Sequence, residues 1–237
     1  MLKLSQEVLN RRVYRQDQYD VNVGSMMLGQ ATRWLSKDKI TIDVGGAAGI
    51  MSTHFCKHSK EVHAFEAVPP VFKQLNRLAQ KFDNITCYEA AVSNKEGVVE
   101  FYVDDKRLSN SGIQDLVGGQ KIEVKSVTVD SFNFENVGFI KVDTEGTELD
   151  VLEGARNTIA NYLPTCMVEC YFKFNKYPLE TTYHFFESLN YNCAYNEKNK
   201  GLVEVGGLNE YLKAASEPEM IHVHDGDFIF YQGDIPN

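Results

Sequence analysis

Five acidic residues stand at the ends of successive apolar runs: Asp43 in Ile40 to Val44, Glu66 after Val62 to Phe65, Glu89 after Ile85 to Tyr88, Asp143 after Gly138 to Val142, and Glu169 after Cys166 to Val168. Runs of this kind, alternating with amphipathic segments, read as the strands of a parallel sheet with crossover helices. Ligands of such sheets bind outside the carboxyl ends of the strands, so these acids sit where chemistry is expected. A carboxylate there can take a proton, hold a cation or accept hydrogen bonds from hydroxyls. Singly, each is an ordinary surface acid; their repetition at strand ends is what argues for a site.

The first run leads into Gly45-Gly46-Ala47-Ala48-Gly49. Glycines at 45, 46 and 49 let the backbone turn tightly and approach a ligand, and a helix beginning near Gly49 directs its free amides toward it. The loop does not match the Gly-x-Gly-x-x-Gly that admits a pyrophosphate. It reads as apolar-apolar-Asp-x-Gly-x-x-x-Gly and resembles the first motif of Rossmann-like methyltransferases, which places Asp43 near the methionine end of S-adenosylmethionine. That cofactor carries an ammonium and a sulfonium, which an anion attracts, whereas a pyrophosphate is repelled. Glu66, 23 residues beyond Asp43, suits the two ribose hydroxyls. Ala67, Glu89 and Ala90 border the nucleoside, so the expected cofactor set is Asp43, Gly45, Gly46, Ala47, Gly49, Glu66, Ala67, Glu89 and Ala90.

A second segment, Phe139-Ile-Lys-Val-Asp143-Thr-Glu145-Gly-Thr-Glu-Leu-Asp-Val-Leu-Glu-Gly-Ala155, resembles the Ile-Lys-x-Asp-x-Glu-Gly-x-Glu…Val-Leu-x-Gly-Ala signature of FkbM-type methyltransferases. Asp43 to Gly49, Ala64 to Pro69, Val129-Asp130, and Pro164 followed by Glu169 support it. The resemblance spans about residues 39 to 195. That family usually has Asn-x-Gly where Ala47-Ala48-Gly49 stands and Glu-Pro where Glu66-Ala67 stands; neither change removes a charged partner. The resemblance implies methylation of a hydroxyl, commonly on a sugar or a polyketide-like product. In-line transfer depends on holding the acceptor oxygen behind the methyl carbon, and a base or a cation then helps the hydroxyl lose its proton. Asp143, Glu145 and Glu169 are the candidates. Asp143 and Glu169 are also candidate ligands for Mg²⁺. Glu145 can equally cap the helix expected from about Thr147.

Other polar groups carry weaker signals. His222 and His224 share one side of an extended strand, as a base or metal pair or as exposed histidines; His54 and His63 read as packing or surface residues. Ser109, Asn110 and Ser111 fall in a polar loop from Asp104 to Gln120. Tyr171, Phe172, Phe174 and Tyr177 after Glu169 suit a platform for a sugar ring or the core. The 5 cysteines lack the paired spacings of a zinc site and read as buried thiols.

The elements expected to position these residues begin with a lead-in over residues 1 to 38, including a helix from Gly24 to Leu35. One Rossmann-like α/β domain follows over 39 to 237. Its implied fold is that of class I methyltransferases, a mostly parallel seven-stranded sheet with helices on both faces. A helix from Gly49 to about Lys57 buries Ile50 and Phe55. A second begins at Pro69-Pro70 and is closed by Asn84, and a third carries Leu149, Leu152, Ala155 or Arg156, and Ile159 on one side. Val98 to Val103 and Ile122 to Val129 form a hairpin-like insertion. A further helix spans about Leu179 to Leu189, strands run from Tyr191 to Tyr195 and from Asp227 to Tyr231, and 196 to 218 is an irregular excursion.

At 237 residues the chain buries a sizeable core, and 43% hydrophobic with 24% charged residues is ordinary for a globular protein. A net charge of −9 disfavours gripping a nucleic-acid backbone and suits small or neutral substrates, while the resemblance implies a small-molecule or glycan acceptor. No stretch approaches a transmembrane span and the first residues lack a signal-peptide core, which points to the cytoplasm; no sequence signal sets an oligomeric state. The alternatives are a nicotinamide-dependent oxidoreductase or epimerase, which needs a pyrophosphate loop and usually Tyr-x-x-x-Lys, and a non-catalytic scaffold of the same fold.

Overall fold

A computed structural model describes residues 29–103, 111–113, 119–170, 175–197, 201–216 and 223–236, with side chains described at 223–226 excepted. The described chain begins with a helical end that tightens into a 3-10 turn at Thr32–Trp34. Strand β1 (Ile40–Val44) then enters helix α1 (Ile50–Phe55), β2 (Glu61–Glu66) enters α2 (Pro69–Ala79), and β3 (Ile85–Glu89) follows. Short β4 (Ala91–Val92), β5 (Gly97–Val103) and β6 (Gln120–Val127) form a separate three-stranded sheet in the order β4-β6-β5. The antiparallel pairing of β5 with β6 is the expected hairpin-like insertion.

The chain returns as β7 (Val137–Val142), α3 (Glu148–Gly154), α4 (Arg156–Tyr162), β8 (Thr165–Glu169), α5 (Leu179–Glu187), β9 (Asn192–Glu197), β10 (Gly201–Glu204), α6 (Leu208–Ser216) and β11 (Val223–Tyr231). The large sheet runs β10-β9-β11-β8-β7-β1-β2-β3. Pairs from β3 through β8 are parallel, while β11 is antiparallel to both β8 and β9, and β10 to β9. The α/β class is as expected. The sheet has 8 strands where seven were expected, because the segment read as an irregular excursion supplies edge strand β10 and helix α6.

Alternation along the strands sorts the core onto two faces. One carries Ile42, Val44, Ile140, Val142, Val168, Tyr195, Phe228 and Phe230 beneath α3 to α6; the other carries Val62, Phe139, Met167, Ala194 and Ile229 with Phe55 of α1 and Ala31 of the lead-in. Successive strand residues point to opposite faces, so one helix layer covers each. Burying a side chain such as Phe55 contributes about 1.5–3 kcal/mol. Ser52, rather than Ile50, joins Phe55 as the buried surface of α1, since Ser52 faces Asp43 while Ile50 is half-buried at the helix start. Helix α2 ends at Ala79, and Asn84 instead donates to the Cys56 carbonyl at 2.9 Å, tying the start of β3 to the end of α1. The third expected helix is broken into α3 and α4 at Ala155, whose φ is −112°. The described cysteines are free and buried, apart from the half-buried Cys87.

Candidate active site

The strand order reverses about β1, which lies between β2 and β7. This is the switch point where α/β sheets bind ligands. The loop after β1 opens with Gly45 at φ +77°, and a β-carbon there would stand 1.8 Å from the Asp143 carbonyl oxygen. Gly45 therefore permits the first loop to lie against the turn after β7. Gly49, at φ +92°, immediately precedes α1, and a β-carbon there would stand 2.9 Å from Leu75 Cδ1 of α2. Ala47 also adopts a left-handed φ of +44°, a conformation that favours Gly or Asn.

Asp43 is fully buried and accepts a hydrogen bond from Ser52 Oγ at 2.5 Å. Lys141 of β7, 5% exposed, lies between two acids: its Nζ is 3.6 Å from Asp43 Oδ1 and 3.1 Å from Asp143 Oδ2, and it donates to the Gly45 carbonyl at 3.0 Å. Burial pulls the Lys141 ammonium down, but the charges of Asp143 and Asp43 outweigh that and raise its pKa above the usual lysine value. It is a fixed cation joining the two loops.

Glu66 is buried at the end of β2, where one oxygen accepts from Ala47 N–H at 3.0 Å and the other from Val68 N–H at 2.7 Å. Burial pushes its carboxyl up to about 7, against the opposing effect of those amides. Each oxygen keeps acceptor capacity beyond its amide bond. Glu89 is exposed beside Glu66 in the register, and Ala90 is buried. Ala67 turns away into the apolar cluster beneath the small sheet, with Val68, Val71, Phe101 and Val124.

Asp143, Glu145 and Glu169 are brought together, each with a carboxylate oxygen within 4.8 Å of the others. Glu145 takes a left-handed φ of +56° and is followed by Gly146 at +104°. No side chain caps α3; instead buried Glu148, its first residue, accepts from Thr144 N–H at 3.0 Å, Thr144 Oγ at 3.1 Å and Gly146 N–H at 2.9 Å, fixing the preceding turn from inside. Glu145 lies in the acidic cluster and does not cap the helix. Burial raises the pKa of Glu169 well above its ordinary value, reinforced by the charges of Asp143, Glu145, Asp227 and Glu148.

A second tether joins the loops after β7 and β8. Asp150 is 4% exposed and accepts from Asn94 Nδ2 at 2.9 Å, Tyr177 Oη at 2.7 Å and Lys176 Nζ at 2.9 Å, while Lys176 N–H donates to the Gly146 carbonyl at 2.8 Å. Tyr177, one of the aromatics read as a sugar platform, is thus held by its hydroxyl on Asp150; Tyr171, Phe172 and Phe174 lie outside the described residues. Ser109, Asn110, His222 and the His224 side chain also lie outside them, as do residues 24–28 of the expected lead-in helix. Ser111 is buried. His54 Nε2 pairs with Thr32 Oγ at 2.7 Å, and His63 Nδ1 with Tyr88 Oη at 3.0 Å, both as packing residues.

Lys141, Glu148 and Asp150 were not singled out as candidates from the sequence. Their signal lies in the 139–155 segment itself: a lysine inside an apolar strand and two acids in the first turn of a helix, all of which prove buried. A cleft of about 310 Å³ lies by the small sheet, lined among others by Glu96, Lys125, Ser131 and Phe132. None of the carboxylates above lines it; they gather at the carboxyl edge of the large sheet instead.

Comparison with known proteins bears on the fold and the family. No curated protein matches the chain in sequence. The structure resembles that of methyltransferase FkbM from Methylobacillus flagellatus, with a TM-score of 0.54 and 16% identity, covering 83% of this chain and 44% of that one. The chain thus spans less than half the length of that protein, and the likeness concerns the fold. It also resembles a precorrin-6y C5,15-methyltransferase from Geobacter metallireducens at a TM-score of 0.46 and 11% identity, covering 87% of this chain and 84% of that one, a similarity too distant to argue from. The family model described as the methyltransferase FkbM domain matches residues 43–196, the stretch that runs from Asp43 through both acidic loops, and the chain belongs to that family.

Proposed function

We propose that the chain is an S-adenosylmethionine-dependent O-methyltransferase acting on a hydroxyl of a sugar or other hydroxylated small molecule. The observation that carries this reading is the convergence of Asp143, Glu145 and Glu169 beside the loop that follows Asp43. The residues fit the cofactor: Glu66 offers buried acceptor oxygens for ribose hydroxyls, and the Asp43 loop is anionic, as a sulfonium and an ammonium require. When bound, that cofactor supplies an electrophilic methyl group. The chain's part is to orient the acceptor oxygen in line with it and to remove the hydroxyl proton.

Glu169 is the base in this scheme. Its raised pKa brings a carboxylate nearer to that of a useful proton acceptor at neutral pH. Asp143, held at 3.1 Å by Lys141, and Glu145 orient the acceptor hydroxyl. The same three oxygens also suit Mg²⁺, a cation with oxygen ligands; Lys141 already supplies positive charge at Asp143, which supports the metal-free base. The acid-rich surroundings and net charge of −9 favour a neutral acceptor over nucleic acid.

Calorimetry tests the cofactor: S-adenosylmethionine binds and NAD does not, and the reverse preference overturns the reading. With an acceptor in hand, Asp143→Asn and Glu169→Gln each lower kcat at least about 100-fold, the usual worth of a positioned acid or base. Activity that persists in EDTA assigns Glu169 as the base, whereas loss on chelation and recovery with Mg²⁺ assigns the cluster to a metal.

A further inference from the structure

Face alternation places more than the three clustered acids along the sheet edge. Asp43 pairs with Lys141, Glu169 pairs with Asp227, and Phe228 pairs with Tyr195. Tyr195 and Phe228 point into the core under α3 to α6, so their neighbours Asn196 and Asp227 take the opposite face, as Glu169 does next to Val168. Glu66, Asp43, Lys141, Glu169, Asp227 and Asn196 thus form one polar row on the face covered by α1 and the lead-in. Between the pairs Phe228–Tyr195 and Val223–Glu197 the register of β11 shifts, so the ladder is interrupted opposite Asn196.

Asn196 is the anomaly in this row. It is 1% exposed, and neither its Nδ2 nor its Oδ1 has a hydrogen-bond partner. A buried amide without partners destabilises the fold, and such a group calls for an explanation. Close by, Gln30 of the lead-in reaches β10, its Nε2 4.0 Å from where a β-carbon on Gly201 would stand, and its Oε1 is likewise buried without a partner. Gly201 adjoins Leu202, which pairs with Asn196.

We propose that Asn196 is an acceptor-binding and specificity-determining residue, its amide receiving one hydroxyl of a neutral polyhydroxylated ring while another hydroxyl lies at Glu169. This rests on the methyltransferase reading above. The amide offers both a donating NH₂ and an accepting carbonyl oxygen, the complement of a hydroxyl, and bears no charge. Two strand spacings separate β8 from β9, about 10 Å, a span that a monosaccharide with its hydroxyls bridges. The acids Glu169 and Asp227 along the way disfavour an anionic ring.

The test uses Asn196→Leu, which keeps the branching at Cγ but has no hydrogen-bonding atoms, and Asn196→Ser, which keeps a donor and an acceptor. D-glucose and D-mannose are the probes, observed by saturation-transfer NMR with S-adenosylhomocysteine present. The expected result is a signal from at least one sugar in the wild type, weakened at least tenfold in Asn196→Leu and partly retained in Asn196→Ser. S-adenosylhomocysteine affinity stays unchanged, and the thermal midpoint of Asn196→Leu is equal or higher because an unpaired amide is gone. Equal sugar signals in wild type and Asn196→Leu, or no signal from either sugar while S-adenosylhomocysteine binds, overturn the proposal and leave the cofactor reading standing. Failure of S-adenosylhomocysteine to bind the wild type overturns the cofactor reading instead. If Asn196→Leu does not fold, an unweakened signal in an Asn196→Ala variant overturns the proposal.

Discussion

Glu66 is a carboxylate whose chemistry the fold has changed. Its pKa rises from 4.5 to about 7 because burial penalises the charged form more than the two amides favour it. A raised carboxyl pKa stabilises the folded state most fully below the unfolded value, and that contribution is lost as pH rises through about 7. At about 1.4 kcal/mol per pH unit, the loss between pH 4.5 and 7 is at most about 3 kcal/mol. Urea unfolding of wild type and Glu66→Gln at pH 5 and pH 8 reads this directly: the variant gains on the wild type as pH rises, and an unchanging difference refutes the account. Glu169, the proposed base, makes the corresponding prediction for activity. Since the base must be unprotonated, the acidic limb of the kcat/KM profile lies above the ordinary carboxylate range, and it disappears in the residual activity of Glu169→Gln. Residue types alone indicated these acids as a group. Which one is buried, and therefore which one is altered, depends on neighbours such as Asp227 that are distant in sequence.

At the scale of elements, the legible features were those with a local cause. Val62 to Glu66, with alternate strand faces both buried, and the Pro69-Pro70 helix start are written in short stretches of chain. Gly45 and Gly154 were legible as glycines in motifs, but their reason is tertiary: a β-carbon on Gly154 would meet the Ser93 carbonyl oxygen at 2.1 Å. Strand β10 was missed because Gly201–Glu204 is half-exposed and weakly apolar, and exists by pairing with β9. The buried Asp150 was missed because an acid in the first turn of a helix is ordinarily solvated. Asp150→Ala leaves Tyr177 Oη and Asn94 Nδ2 without their acceptor and cuts the Lys176 tether, so it costs about 2–4 kcal/mol. It also lowers kcat, because Glu145 and Glu169 sit on the two loops it joins. In the loop after β1, Gly45→Ala destabilises by more than about 2 kcal/mol through the clash and the left-handed φ, whereas Ala47→Gly relieves a left-handed alanine and stabilises by about 1 kcal/mol. Chemical denaturation measures both, and opposite signs for two substitutions in one loop are the discriminating result.

Across the whole molecule, the proposed cofactor site is assembled from segments far apart in sequence. Asp43 and Gly45 come from the loop after β1, Glu66 from the end of β2, and Lys141 and Asp143 from β7 and its turn. A ligand bound across all of them interacts with the folded state and with no single segment of the unfolded chain, so binding and folding are thermodynamically linked. At a free concentration 100 times its dissociation constant, S-adenosylhomocysteine adds about 2.7 kcal/mol to the stability of this chain. For a domain of this size that raises the thermal midpoint by about 5–10 °C. NAD at the same concentration is expected to leave the midpoint unchanged, because the acids of the proposed site repel a pyrophosphate. Glu66→Gln shrinks the shift produced by S-adenosylhomocysteine, since an amide accepts fewer hydrogen bonds from a ribose than a carboxylate does. Asn196→Leu, at the far end of the polar row, leaves that shift intact. A thermal shift that falls equally in both variants would mean that the row acts as one structural unit, and would remove the division between a cofactor half at β1 and β2 and an acceptor half at β8 to β9.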